Sequence, residues 1–353
     1  MLDWTLNRIM TCIIAAVMAW VAFGVSPQVR AGELGCSNIS VPVSIAPGAP
    51  KVYSIYGKLC HPDAGPSDVI QILVHGYSYD HRYWALPGFG DDYDYVKVAN
   101  EAGYTTLAID RLGSAGGSSR PPSALVTFQA GAVSLHDVIS AARNGAVPGG
   151  PYQNVVTVGH SAGTAIAWIE ASLFQDVDGI IATGFGHPFG AVQGLLLNTF
   201  PAFLDSRLRP LVGWDLGYLT TTPGSRDDLF YRVETSDPAV IAYDEAMKGL
   251  ATSGELLTLS TGELGTLAIT VPVLFVMGEY DQIFCLGENL GGFVDCSSDE
   301  TLYTSERIYF PLVSDFEAYV HLGAGHNINL HDGATDWFDR AAEWMSERFP
   351  QGH

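Results

Sequence analysis

Lysine is nearly absent from this chain. Four lysines and thirteen arginines stand against 38 acidic residues, giving a formal charge of −21 over 353 residues. Nowhere do the basic residues gather into a patch. Such a surface repels polyanions, which excludes nucleic acid and anionic lipid as partners. Cysteine is scarce too: there are five, with no C-x-x-C pair and no Cys/His cluster spaced to hold zinc. Internal repeats and low-complexity tracts are missing.

Long apolar runs are also rare. The main one, Ile9 to Val25, follows Arg8 and precedes Val29-Arg30-Ala31, which offers small residues at −3 and −1 of a cleavage point. That pattern predicts an export signal over residues 1–31 and a secreted product, extracellular or periplasmic, with no stable membrane association after cleavage. The run is about 17 residues, at the short limit for a membrane span, which leaves a retained N-terminal anchor as the alternative. Cleavage would remove Cys12 and leave Cys36, Cys60, Cys285 and Cys296. An even number in an exported chain predicts two disulfides. Of the three pairings, Cys36–Cys60 and Cys285–Cys296 each close a short local loop and are expected; buried free thiols are the alternative.

What the chain does have is ample core material, with 47% hydrophobic residues, and a rhythm of strand and helix. Residues 41–60 predict an opening antiparallel hairpin. The nearly continuous apolar run Val69–Val74 suits a strand covered on both faces. Further strands are predicted at Thr105–Ile109, Val155–Val158, Gly179–Thr183, Val273–Met277 and Ala318–Leu322, with helices between them and a last helix carrying Trp337, Ala341 and Trp344 on one face. This alternation implies an α/β fold with a mostly parallel central sheet and helices on both sides. Residues 185–265 break the rhythm. They read as mostly helical and apolar (Leu195-Leu196-Leu197, Phe200, Phe203, Trp214, Tyr218), with Asp237-Pro238 opening a helix. A helical cap over a greasy pocket is expected there, between core segments 32–184 and 266–353.

Gly159-His160-Ser161-Ala162-Gly163 carries the chemistry. It reads G-x-S-x-G between a β-branched strand and a helix. A serine on so tight a turn is held out at the strand end, with the helix N-terminus pointing at it. Serine is a weak nucleophile unless a base and oxyanion donors stand beside it. Those partners should lie at the C-terminal ends of other strands. After Val273–Met277 comes Gly278-Glu279-Tyr280-Asp281, and after Ala318–Leu322 comes Gly323-Ala324-Gly325-His326. Asp281 is the expected orienting acid, with Glu279 its nearest rival, and His326 the expected base. The backbone N–H groups of Ala162 and Tyr77 are the expected oxyanion donors. His75, Gly76, His160, Phe185, His187 and Trp214 are expected to shape the substrate pocket. Asp91-Asp92-Tyr93-Asp94 reads better as a helix-capping loop than as a calcium site.

His75-Gly76, Asp110–Ser118, the turn at Ser161, Gly278–Asp281 and Gly325-His326 together resemble the α/β-hydrolase fold family, over about residues 50–349. The resemblance implies that Ser161 attacks an acyl carbon, that His326 takes its proton, that Asp281 steadies the imidazolium, and that water releases the acid from an acyl-enzyme without metal or cofactor. Two departures stand out. The 45 residues from Asp281 to His326 exceed the usual spacing, and the residue before Ser161 is histidine. A serine argues against epoxide hydrolysis and dehalogenation, where the family uses aspartate. The expected substrate is an ester or lactone of a small to medium apolar molecule. The alternatives are a cofactor-free lyase or perhydrolase on the same three residues, or a ligand-binding homologue without turnover.

Overall fold

The computed structural model describes residues 35–187, 198–261, 263–287 and 292–351. The expected signal segment and Leu195–Leu197 lie outside the described residues. The chain opens with the hairpin β1 (Gly35–Val43) and β2 (Tyr53–His61), followed by β3 (Val69–Val74), α1 (Tyr95–Glu101), β4 (Thr105–Ile109), α2 (Phe128–Arg143), β5 (Asn154–His160), α3 (Ala162–Phe174) and β6 (Gly179–Thr183). An insertion follows. Strand β7 (Thr199–Pro201), helix α4 (Arg209–Val212), β8 (Tyr218–Thr221), α5 (Arg226–Phe230), α6 (Pro238–Met247), β9 (Ala251–Thr252) and α7 (Ser253–Thr258) lead to β10 (Val273–Gly278), α8 (Asp299–Glu306), β11 (Phe316–His321) and α9 (Ala334–Arg348).

Eight strands form one sheet in the order β1-β2-β4-β3-β5-β6-β10-β11. The hairpin and the β2–β4 pair are antiparallel; every other neighbour is parallel. All six residues of β3 and of β10 are buried, as a strand with helices on both faces requires. The order dictates where the helices go. The chain steps from β3 to β4 in one direction and from β4 through β5, β6 and β10 to β11 in the other. Right-handed crossovers then put α1 on one face and α2 with α3 on the opposite one. Helix α9 joins α1 by packing against it. Its Trp337, Phe338, Ala341, Trp344 and Met345 are all fully buried. These recur one or three to four residues apart, which makes one apolar stripe on a 3.6-residue repeat. Asp94 caps α1 by accepting from the Lys97 N–H at 2.8 Å, and Asp91 pairs with the Lys97 ammonium, in keeping with the capping role expected of that acidic loop.

Between β3 and β5 the order of strands reverses direction. Crevices that can take a ligand open at the carboxyl ends of such a pair. Val74, the last residue of β3, is registered against Gly159, two residues before Ser161. The loops carrying Tyr77 and Ser161 therefore rise side by side from neighbouring strands.

Among its described residues the insertion is less helical than its composition suggests. β7, β8 and β9 make an antiparallel three-stranded sheet (Thr199↔Thr221, Leu219↔Ala251). Its described helices are short, and the longest of them, α6, begins as expected: Asp237 accepts from the Ala239 N–H at 2.8 Å and Pro238 stands at its first position. Both expected disulfides are present, Cys36–Cys60 across the opening hairpin and Cys285–Cys296 in the stretch between β10 and β11. Among the described residues no helix is long and apolar enough to cross a membrane.

Candidate active site

Ser161 sits between β5 and α3 with φ 51° and ψ −118°, a conformation that L-residues seldom adopt. Its surroundings hold it there. The Ser161 N–H donates to Thr183 O of the next strand at 2.8 Å, and its carbonyl accepts from the Thr164 N–H at 2.9 Å. The flanking glycines are steric necessities: a Cβ at Gly163 would stand 2.0 Å from Val74 O, and one at Gly159 would stand 2.5 Å from Thr164 Cα. Because α3 begins at Ala162, the Ala162 N–H is one of the four first-turn groups that a helix cannot satisfy internally.

Asp281 follows β10 and is fully buried. Its Oδ1 accepts from the Ile283 and Phe284 N–H groups at 2.9 and 3.1 Å, which fixes the carboxylate plane. Oδ2 is thereby aimed at His326, whose Nδ1 lies 2.8 Å away. The His326 ring is set among Phe230, Phe284 and His160. With Nδ1–H donating to Asp281, Nε2 is left to accept a proton. Glu279, the rival acid, is engaged elsewhere: its Oε2 accepts from the Gly323 N–H at 2.9 Å. Glu279→Gln should accordingly leave kcat/KM of any serine-dependent turnover within about threefold; a loss of a hundredfold or more would reassign the acid.

Ser161 and His326 line one recess of about 480 Å³. Tyr77, Tyr79, Phe128, Phe185, Ile283 and Phe284 supply much of its wall, and the insertion adds Phe230, Leu256 and Leu259. One carboxylate, Glu255, reaches it, but Arg111 pairs with that side chain and the Thr252 N–H donates to it at 2.9 Å. The same Arg111 donates to Gly76 O at 3.0 Å, bracing the loop that carries Tyr77. The long segment before His326 thus reaches the recess through Ile283 and Phe284, next to the Cys285–Cys296 bridge.

Four expected pocket residues, Trp214, His187, His75 and Gly76, do not line the recess. Trp214 is 84% exposed on the insertion, beside Phe203. His187 is buried between the rings of Trp168 and Tyr309, with Nδ1 2.7 Å from Glu306 Oε2. His75 is a splint: its Nε2 accepts from the Arg111 N–H at 3.0 Å and its Nδ1–H donates to Gly76 O at 2.9 Å. Gly76 is placed for clearance, since a Cβ there would come within 3.2 Å of Ser161 Cβ. His160 does touch the recess, stacked 4.4 Å from Tyr83. Burial, and then the neighbouring His326, hold its pKa well below the usual value, so it stays neutral. Ser78, which composition could equally have left facing solvent, is buried with φ 58°, and its Oγ accepts from Arg226 at 2.8 Å.

Two further residues escape any motif. His331 Nε2 accepts from the Gly325 and Arg232 N–H groups, both at 2.9 Å, and its Nδ1–H donates to Asn327 O at 2.8 Å, so it clamps the loop around His326. Asn327 donates to the Tyr79 hydroxyl. Burial lowers His331 to about 4, and burial followed by Arg111 lowers His75 to about 3. Both fold as neutral bases, so the unfolded chain binds protons that the folded one refuses. Stability is full above pH 6.5 and is lost as pH falls toward 4, on the order of 3 kcal/mol for each histidine. Urea denaturation at pH 7 and pH 4.5 should show this loss, and His331→Asn should reduce it; a flat profile would contradict it.

The sequence matches the alpha/beta hydrolase family over residues 71–341. No curated protein sequence matches significantly. Several solved structures share the fold. An esterase from Thermogutta terrifontis superposes with a TM-score of 0.57 at 16% identity, covering 88% of this chain and 98% of its own. A monoacylglycerol lipase from Paleococcus ferrophilus gives 0.55 at 16%, covering 83% and 99%. A bromoperoxidase from Bacillus anthracis gives 0.55 at 16%, covering 88% and 99%. With the family match spanning most of the sequence and the sheet order, elbow turn and recess described above, this chain belongs to the alpha/beta hydrolase family.

Proposed function

We propose that this protein is an exported serine esterase acting on an ester or lactone of a small to medium apolar molecule. The observation that carries the reading is the convergence of Ser161 and His326 on one apolar recess, with Asp281 2.8 Å behind the imidazole. In this mechanism Ser161 Oγ attacks the acyl carbon as His326 Nε2 accepts its proton. The developing oxyanion is met by the Tyr77 and Ala162 N–H groups. Asp281 stabilises the imidazolium, which then protonates the departing alcohol. Water, deprotonated by the same imidazole, releases the acid from the acyl-enzyme. The apolar wall favours an acyl or alkyl group, and the Arg111–Glu255 pair leaves no uncompensated charge to seek an ionic substrate. Two disulfides support export, because such bonds persist in oxidising compartments.

The test is rapid mixing with p-nitrophenyl esters from acetate to long acyl chains, and with lactones. A burst of p-nitrophenol equal to the enzyme concentration, followed by steady turnover that peaks at short to medium chains, is expected. A folded protein that releases no p-nitrophenol and opens no lactone would refute the esterase. Peracid formation with hydrogen peroxide that outpaces hydrolysis would favour the perhydrolase, a reading that the bromoperoxidase neighbour keeps in view. N-terminal sequencing of the exported product should begin at Gly32.

A further inference from the structure

Nine residues along α3 from Ser161, on its buried side, lies Glu170. At 1.5 Å per residue this is about 14 Å from the nucleophile turn, outside the recess. Its carboxylate is fully buried, and neither oxygen has a partner in good hydrogen-bonding geometry, His136 standing 3.5 Å from Oε1. A buried carboxylate without hydrogen bonds is a costly arrangement that native folds avoid. Two other side chains converge on it. His136, from α2, places Nδ1 3.5 Å from Glu170 Oε1 and 2.8 Å from Asp176 Oδ2. Asp176 stands just past the C-terminus of α3. One donor atom from each residue falls within a span of 4.8 Å. Close as they are, the contacts lack hydrogen-bond direction: His136 Nδ1 and Asp176 Oδ1 also have no hydrogen-bond partner. The His136 ring is stacked on Phe174 with centroids 3.8 Å apart, which presents its edge to the two carboxylates.

We propose that His136, Glu170 and Asp176 form a binding site for one divalent transition-metal ion, zinc being the best match. The donor spacing is near that of zinc, whose tetrahedral ligands at about 2.0–2.2 Å stand about 3–4 Å from one another; here His136 Nδ1 lies 2.8 Å from Asp176 and 3.5 Å from Glu170. Donor chemistry agrees, since one imidazole nitrogen with two carboxylate oxygens suits zinc and its neighbours, whereas calcium asks for six to eight oxygens. Once both are ionised, the two carboxylates would also neutralise the ion's charge. Access is available, because the side chains of His136 and Asp176 are 29% and 24% exposed. A water from that side would complete the coordination. The ion would brace the C-terminal end of α3, whose other end holds Ser161, against α2.

A second cluster gives the contrast. Asp80, His81 and Asp110 also lie within such a span, but there the oxygens are occupied. Asp110 Oδ1 accepts from the His81 N–H and ring at 2.9 and 2.8 Å, and Oδ2 accepts from the Gly117 N–H at 2.6 Å. That cluster is satisfied without an ion.

The experiment uses the mature, untagged protein after treatment with a chelator and exhaustive dialysis. Titration calorimetry with zinc chloride should give one site at micromolar affinity or tighter, and zinc should raise Tm. His136→Ala, at a partly exposed position, and Glu170→Gln, which keeps the shape, should each weaken zinc binding at least tenfold and remove the rise in Tm; His81→Ala should change neither. Cobalt(II) titration should show visible d–d bands in the wild type and lose them in both variants. Unsaturable zinc uptake, equal uptake by His136→Ala and the wild type, or stabilisation by calcium but not zinc would each overturn the site. Because the readouts are binding and Tm, the result stands apart from that of the ester assays.

Discussion

Ser161→Ala should lower kcat/KM on an activated ester by about 10⁵–10⁶-fold, while Tm shifts by only a few degrees. Removing the hydroxyl takes away the proposed acyl-enzyme route but leaves the proposed oxyanion donors and the recess, so a residual rate above water alone is expected. Asp281→Asn is the sharper probe. One oxygen of this carboxylate is already committed to the Ile283 and Phe284 N–H groups. In an asparagine the carbonyl must take that place, and the NH₂ would then face His326 Nδ1. The imidazole would have to accept there and carry its proton on Nε2, the nitrogen needed as base. A loss of about 10⁴-fold in kcat is expected from the wrong tautomer. An Asp281→Asn variant within tenfold of the wild type would remove this residue from the mechanism, and an active Ser161→Ala would remove the mechanism altogether.

The second large effect concerns a buried ion pair inside the insertion. Arg226, fully buried, meets Asp244 through two contacts, Nε to Oδ2 at 2.9 Å and Nη2 to Oδ1 at 2.8 Å. The Tyr79 and Tyr231 hydroxyls both donate to Asp244 Oδ2 at 2.9 Å. Burial keeps both phenols well above their ordinary pKa, so they remain donors. From the other side of the pair, Arg226 reaches Ser78 beside Tyr77, and Asn327, beside His326, reaches Tyr79. Arg226→Met leaves an uncompensated buried carboxylate and should cost about 3–5 kcal/mol in urea denaturation. Exchanging both partners for apolar residues should recover most of that stability. It should not recover kcat, expected to stay at least about tenfold low, since the loops bearing Tyr77 and His326, the proposed oxyanion donor and base, lose their anchors. Full activity in that double variant would reduce the pair to a purely structural feature.

How much of this was legible in the sequence depends on how local each signal is. The turn at Ser161 is written in five consecutive residues, because its steric demands fall on immediate neighbours. Asp281 and His326 could be placed because each follows a strand, and strand ends in a parallel sheet point to one edge. The two disulfides join cysteines 24 and 11 residues apart, and local closure picked them out. The insertion was harder. Its strands are only two to four residues long and pair Thr199 with Thr221 and Leu219 with Ala251, so no periodicity accumulates within any one of them. Trp214 was misplaced because size and apolarity express a preference for burial and not a position. His75, His187 and His331 look alike in sequence. Only the atoms around each ring, drawn from distant segments, make one a loop splint, another a member of an aromatic stack and the third a clamp on the loop around His326.

The anchoring of Ser78 and Tyr79 bears on how such a protein could be re-engineered. Grafting a foreign lid onto this scaffold, a common route to new substrate range, would discard Arg226 and Asp244 together. The hydroxyls on the scaffold side would then be stranded in a dry interior. A chimera should tolerate the exchange only if it retains those two residues or converts Ser78 and Tyr79 to apolar counterparts at the same time.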